Sequence, residues 1–420
     1  MKNKRAQHTF RAFRSRNYAL FFTGQSVSQI GTWMQRTAVN WVIYSLTHSA
    51  FMLGLAIFAQ QFPSFLLSLY GGIVSDRHSR YKILLITQTA SMIQAILLAI
   101  LILTGHYIIW EILALGAVLG VVNAFDVPAR QPMVHEMVSE KEDIPNALAL
   151  NSAMVNIARL IGPALSGIVL QTWGAGICFS LNALSFVAVI TSLLLMKLPK
   201  FVPATVKKKA LAELVEGYEY LKQTPAIANI ILLSVALSLF ILPYDTVIPV
   251  FAKVVFNGNA RTYGYISSCM GLGAIGGSLF FASLKKGANL RKVLLLSVVI
   301  LAVGLILFSH ASYLPVALPF AVIIGFGSLL PVSVSITTIQ LEAAPHMRGR
   351  VMSFIALSYF GMLPLGSLLV GTVSQKTSAP LTMLCQGIAG LIIVALSYKI
   401  LTKETAVKPT TEEPVGAEKI

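Results

Sequence analysis

Charge is scarce in this chain: Asp, Glu, Lys and Arg make up only 11% of its 420 residues. Acid is scarcer still, with 16 Asp and Glu against 32 Lys and Arg. A soluble protein of this length needs a far more polar surface to cover its core, so a soluble enzyme or binding domain is excluded. Cysteine is equally sparse. Cys178, Cys269 and Cys385 lie far apart inside apolar runs and read as small buried hydrophobes, not a disulfide framework or thiolate metal set. The histidines show no metal-ligand spacing, and no G-x-x-x-x-G-K-[ST] phosphate loop occurs, which argues against an ATP-driven pump. Gly271-Leu-Gly273-Ala-Ile-Gly276 satisfies a dinucleotide pattern on paper, but no strand precedes it and it reads as helix packing. No cofactor or metal is expected.

What the chain has in abundance is long apolar runs. Hydrophobic residues form 56% of it and the mean hydropathy is +0.76. Runs of about 20 apolar residues are long enough to cross the hydrocarbon core of a bilayer. Crossings are predicted at 17–44, 50–74, 83–103, 108–129, 147–172, 175–196, 226–250, 263–284, 293–309, 313–339, 351–373 and 381–401. The expected fold is therefore an all-α integral membrane protein of twelve transmembrane helices in two six-helix pseudo-repeats.

The net charge of +16 suggests nucleic acid at first sight, but its distribution argues otherwise. Three basic residues, Lys253, Arg261 and Lys376, fall outside, and two, Arg36 and Arg159, fall within crossings. The others lie on segments that an even number of crossings places with the termini, or, for Lys399, at the inner end of the last crossing, so the positive-inside rule puts both termini in the cytoplasm. The expected organisation is a basic leader at 1–16 that is not a cleavable signal, a first half at 17–196 and a linker at 197–225. A second half at 226–402 and a polar, disordered tail at 403–420 follow. The linker holds Lys207-Lys208-Lys209, then Leu211, Leu214, Val215, Tyr218 and Leu221 at helical spacing, as in an amphipathic helix on the inner leaflet.

A shift of 204 residues aligns Gly72 with Gly276, Gly162 with Gly366 and Gly167 with Gly371, which points to two related halves. The same shift pairs Asp76 with Phe280, so the repeat is unequal. Between the second and third crossings, Gly72-Ile-Val-Ser-Asp76-Arg77-His78-Ser-Arg80 sets one acid among three bases, counting Lys82. This run resembles the signature loop of the major facilitator superfamily of secondary transporters, with Ser79 where a glycine is usual and Tyr81 where a second base is usual. The resemblance implies alternating access, a cavity lined by the first, fourth, seventh and tenth crossings, and an inner gate. There Asp76 would latch the start of the eleventh crossing, with Arg77 and Arg80 as its network.

Several further side chains stand out inside the apolar runs. In the first crossing Ser28, Thr32, Arg36 and Asn40 recur at steps of four, flanked by Gln25 and Gln29. Lipid cannot satisfy such a stripe, so it faces a ligand path or a polar helix seam. The fifth crossing carries Asn151, Ser152, Asn156 and Arg159, followed by Gly162-Pro163 and Gly167. Arg159 needs a carboxylate, backbone carbonyls or an anionic substrate, and the Gly-Pro pair permits a kink and close packing. In the seventh crossing Ser234, Ser238 and Asp245 fall on one face, and Asp245 is the clearest intramembrane acid. It is either a proton carrier or a structural partner of Lys253 or Arg36.

At the inner end of the fourth crossing, Asp126 and Arg130 are spaced to pair locally, as a staple or as part of the gate. The run Asn123 to Pro132, with Gly31-Thr-Trp33-Met34-Gln35 and Trp41, is similar to the superfamily branch that contains the enterobactin exporter and macrolide efflux proteins. The Gly162-Pro163 feature resembles the helix signature of exporters that exchange substrate for protons. These resemblances imply export of a small organic compound, drug-like or siderophore-like, by proton antiport from a bacterial inner membrane. They imply a monomer in contact with membrane lipid, with no nucleic-acid partner. Uptake by the same fold, or a non-transporting receptor, is the alternative.

Overall fold

The computed structural model describes residues 10–105, 108–198, 210–285 and 287–403. Lys2, Lys4 and Arg5 of the leader, Lys207-Lys208-Lys209 of the linker, Lys286 and the tail beyond residue 403 lie outside these. Among the described residues there are thirteen helices of at least 14 residues. They are α1 (Arg16–Thr47), α2 (Ala50–Arg77), α3 (Arg80–Thr104), α4 (Ile109–Met137), α5 (Ile144–Trp173), α6 (Ala175–Leu194) and α7 (Ala210–Gln223). After the linker come α8 (Pro225–Phe240), α9 (Ala260–Ala282), α10 (Leu290–Ser309), α11 (Leu314–Glu342), α12 (Arg348–Lys376) and α13 (Ala379–Lys403).

Among the described residues, eleven helical segments are long and apolar enough to cross a membrane. The polar stripe keeps α1, with 32 residues the longest helix, outside that set. Peripheral helices carry exposed Ile86, Leu184, Leu296 and Leu396, a surface that only lipid covers without cost. Trp110, Trp173 and Tyr313 are exposed near helix ends, where amphipathic rings favour the interface. The chain is a multi-pass membrane protein.

Helices before the linker pack into one bundle and those after it into a second, with α2 against α12 and α5 against α9 as the principal seams between them. Glycines set these seams. A Cβ at Gly54 would run into the backbone of Ser367 on α12, and one at Gly264 into the backbone of Pro163 on α5. Likewise Gly371 abuts Ala50 and Gly54, while Gly167 abuts Ala260 and Gly264. Bare backbone is what lets helices approach this closely in the membrane.

The segment after α8 departs from the expected continuous helix. It passes through a 3-10 stretch (Leu242–Val247) into a short α-turn (Ile248–Val250) and a π-turn (Phe251–Val255), with Pro243 and Pro249 removing helical donors. The spacing that put Ser234, Ser238 and Asp245 on one face therefore does not hold. Ser234 bonds to Tyr359, the Oγ of Ser238 is buried without a partner, and Asp245 projects from the 3-10 stretch. Of the cysteines, Cys178 is buried as expected, but Cys385 is exposed on α13.

Candidate functional site between the two bundles

Arg77, Arg80, Lys82, Lys285, Arg291, Lys292, Arg348 and Arg350 all lie at one end of the helices, here termed the basic end. From the opposite end to the midpoint the bundles touch. Gln375 of α12 accepts from the Ala50 amide at 2.8 Å. Asn40 of α1 donates to Tyr263 of α9 at 3.5 Å, Trp41 stacks on the same tyrosine, and Lys253 lies 5.9 Å over Trp41. Near mid-span Ser268 donates to the Leu160 carbonyl, Gly271 meets the backbone of Arg159 and Leu160, and Gly361 meets Phe65. Beyond that point, among the described residues, no hydrogen bond or ion pair joins the bundles at the basic end. The polar ties between the bundles thus stop at mid-span, and the space between them toward the basic end is here termed the cleft.

A charged cluster occupies its apex. Arg36 of α1 reaches Asp245 across the bundle interface at 3.7 Å. About a third of each side chain stays exposed (33% and 38%), and because the two face each other between bundles, that exposure is to the cleft. Trp33 lies between two guanidiniums, with Arg36 at 5.1 Å and Arg159 at 5.0 Å from its ring. Arg159 lies more than a hundred positions from Trp33 and Arg36 in sequence, but Gly162 seats α5 against Trp33 and so brings Arg159 to α1. The Nε of Arg159 is buried without a hydrogen-bond partner. Asn156 is half-buried one turn earlier on α5.

The rest of the predicted stripe on α1 divides. Gln25 and Ser28 are buried, Thr32 bonds to its own helix, and Gln29 is half-buried. Only Arg36 and Asn40 meet the second bundle. Sequence reading passed over Gln35 as a functional residue, together with Gln94 and Asn182. Gln35 takes a bond from Asn182 at 2.8 Å and gives one to Gln94 at 3.0 Å, and Gln94 continues to the Leu115 carbonyl. Gln35, Asn40, Gln60 and Gln94 also line a small cavity inside the first bundle.

At the basic end Asp126 and Arg130 pair at 3.0 Å as their spacing predicts. Asp126 is nearly inaccessible, and its other oxygen takes bonds from Thr87 and Gln88 of α3. Asp76 is exposed and lies 3.8 Å from Arg80, and among the described residues it makes no hydrogen bond or ion pair with α12. Arg80 makes a tighter pair with Glu136 of α4 at 2.6 Å, an acid the sequence reading overlooked. Arg77 is exposed in the last turn of α2. Space around Gly72 is open, whereas its neighbour Gly71 sits directly on the backbone of Ala124. The hidden signal was one residue away from the motif. In the second bundle Arg291 and Glu342 form the counterpart of the Arg80–Glu136 clasp, at 2.9 Å.

Two lipid-facing bundles that meet around shared charges suit a membrane transporter. Comparison with known proteins bears this out. A family profile described as transmembrane secretion effector matches residues 7–415. The staphyloferrin A transporter of Staphylococcus aureus is 26% identical, covering 91% of this chain and 96% of its own length. The enterobactin exporter EntS of Shigella boydii is 25% identical over 94% of this chain and 93% of its own. The multidrug efflux pump Tap of Mycolicibacterium fortuitum is 22% identical over 85% and 88%. A crystal structure of the nucleoside transporter NupG superposes with a TM-score of 0.70 at 13% identity, covering 92% of this chain and 99% of that one, and so shares the fold. The chain belongs to the transmembrane secretion effector family of the major facilitator superfamily.

Proposed function

We propose that this protein is a secondary efflux transporter that exports a small organic compound, drug-like or siderophore-like, by alternating access and proton antiport. In this reading α1 supplies the twelfth crossing, the helices form two six-helix repeats, and the monomer sits in the inner membrane. Both termini and the basic end face the cytoplasm, where an excess of Lys and Arg belongs. The structure then corresponds to the state open to the cytoplasm. The observation that carries the reading is the set of cross-bundle contacts running from the far end to mid-span and stopping there, with Arg36 and Asp245 at the apex.

Transport follows from competition at that apex. In antiport Asp245 carries a proton on the return stroke, when the site is empty; while ionised it holds Arg36 and keeps the far end shut, until arriving substrate displaces it from Arg36. Rocking of the bundles over the glycine seams then closes the basic end. Asp76, Arg77 and Arg80 lie where the start of α12 would arrive, next to the Asp126–Arg130 pair, and form the gate. Gly162, Pro163 and Gly167 provide the close, kinked α5 contact that the movement needs. Gln25, Gln29, Thr32, Asn40, Asn156 and Arg159 border the path. Export is favoured over uptake by the names of the relatives.

The test is dye efflux from energised cells expressing wild type, Asp245→Asn or Asp76→Asn, with and without an uncoupler. The reading expects the uncoupler to stop wild-type efflux and Asp245→Asn to lose gradient-driven transport while still exchanging substrate. Efflux that survives the uncoupler, or an Asp245→Asn protein that behaves as wild type, overturns proton antiport.

A further inference from the structure

The charges at the apex do not balance. Arg36 and Arg159 bring two guanidiniums, and Asp245 is the one carboxylate that pairs with either among the described residues. The acid nearer the basic end is already matched, since Asp126 holds Arg130 and takes bonds from Thr87 and Gln88. Lys253, toward the far end, adds another positive charge over Trp41. An uncompensated cation at mid-membrane costs several kcal/mol unless something pairs with it.

The geometry around the arginines fits an anion. At 3.7 Å the Arg36–Asp245 contact is longer than the roughly 2.7–2.9 Å of a charge-assisted hydrogen bond, so the pair is not saturated. Arg159 has no ion pair, and its Nε is buried without a partner. Both guanidiniums lie about 5 Å over the Trp33 ring, and an arginine held beside a ring can still offer its N–H groups bidentately to a carboxylate. The remainder of the half-buried Trp33 ring supplies apolar surface beside them.

We propose that Arg159 and Arg36, with Trp33 between them, form a binding site for the carboxylate or comparable planar anionic group of a substrate that also carries an aromatic or flat apolar portion. The inference rests on reading the cleft as the substrate path and narrows the substrate class. An arriving anion would take over the Arg36 edge from Asp245, so the anion and Asp245 compete for Arg36. Asp245 is a partner in this exchange, and Arg159 is the anchor.

The test uses purified full-length protein in lipid nanodiscs, titrated by tryptophan fluorescence with 1-naphthoate, its neutral amide and a naphthyl trimethylammonium cation. Trp33→Phe identifies the signal that belongs to the site. The expected result is naphthoate binding about tenfold or more tighter than the amide, as charge-assisted recognition requires, with the cation weakest. In Arg159→Gln that preference falls to near unity, and Arg159→Lys retains part of it. Should Arg159→Gln prove unstable on melting, the same loss is expected in Arg36→Gln. Equal binding of acid and amide by wild type overturns the proposal, as does a preference that persists in both variants. Efflux of a neutral dye from cells separates this outcome from failure of the transport reading, because it measures export without requiring an anionic substrate.

Discussion

The two bundles match where they touch and differ inside. At the seams the match extends to backbone atoms, Gly54 on Ser367 mirrored by Gly264 on Pro163, and Gly371 on Gly54 mirrored by Gly167 on Gly264. Both bundles also close their basic ends with an arginine at the start of one helix and a glutamate at the end of the next, Arg80–Glu136 and Arg291–Glu342. Their interiors are built differently. The first bundle ties helices together through side chains, in the Asn182–Gln35–Gln94 chain and around Asp126. In the second, Ser297, Thr338, Ser358 and Ser367 turn back onto their own helices, and the interior ties are single bonds, Tyr359 to Ser234 and Gln386 to the Phe240 and Ile241 carbonyls, with apolar packing around them. Movement of one bundle against the other requires matching seams. It places no such demand on the interiors, which are free to specialise.

The largest effect that would sharpen this contrast is Asp126→Ala. Removing the acid strands Arg130 and two donors of α3, and loss of one partner from a buried pair costs about 3 kcal/mol. Thermal melting in detergent should register a clear drop, with no equivalent site in the second bundle. Next come Gly54→Leu and Gly264→Leu, each of which should cut transport about tenfold, in line with the roughly 1–3 kcal/mol cost of overpacking. Initial efflux rates that differ strongly between the two would break the symmetry of the seams.

Among the clasps the order should follow burial. Arg291 is nearly inaccessible, bonds both oxygens of Glu342 and also reaches the Leu401 carbonyl. Arg291→Gln should cost about 2 kcal/mol in melting experiments, and Arg80→Gln, closer to solvent, about 1 kcal/mol. The smallest change is expected at the linker helix. Glu216 there pairs with Arg350 at the start of α12, but more than half of its side chain is exposed. Glu216→Gln should shift stability by under about 0.5 kcal/mol, and a larger shift would mark α7 as part of the gate.

Much of the fold was legible because lipid imposes a simple rule: apolar runs and basic loops mark crossings and sides. The linker helix was legible too, from its spacing, although Leu221 turns inward while Val215 and Tyr218 stay exposed. The Asp126–Arg130 pair could be read because it is local. Asp245 could be flagged as an intramembrane acid, but its neighbour depends on which helices meet, and Pro243 and Pro249 disrupt the register on which its assigned face relied. Arg159 over Trp33, Glu136 on Arg80 and the Gln35 chain are all contacts between helices distant in sequence. Gly71 and Gly72 show the limit most sharply, since the motif favours one and packing requires the other.

The account rests on Arg36 and Asp245 holding the far end shut while the basic end is open. Spin labels at Ile73→Cys on α2 and Gly349→Cys on α12, both exposed on facing helices at the basic end, read that state directly once the native cysteines are replaced. Wild type should show a dominant long distance. In Asp245→Asn a shorter distance should gain about fivefold in relative population, the effect of removing a partly exposed pair worth about 1 kcal/mol. An unchanged distribution in Asp245→Asn would contradict the claim that this pair controls which end of the cleft is closed.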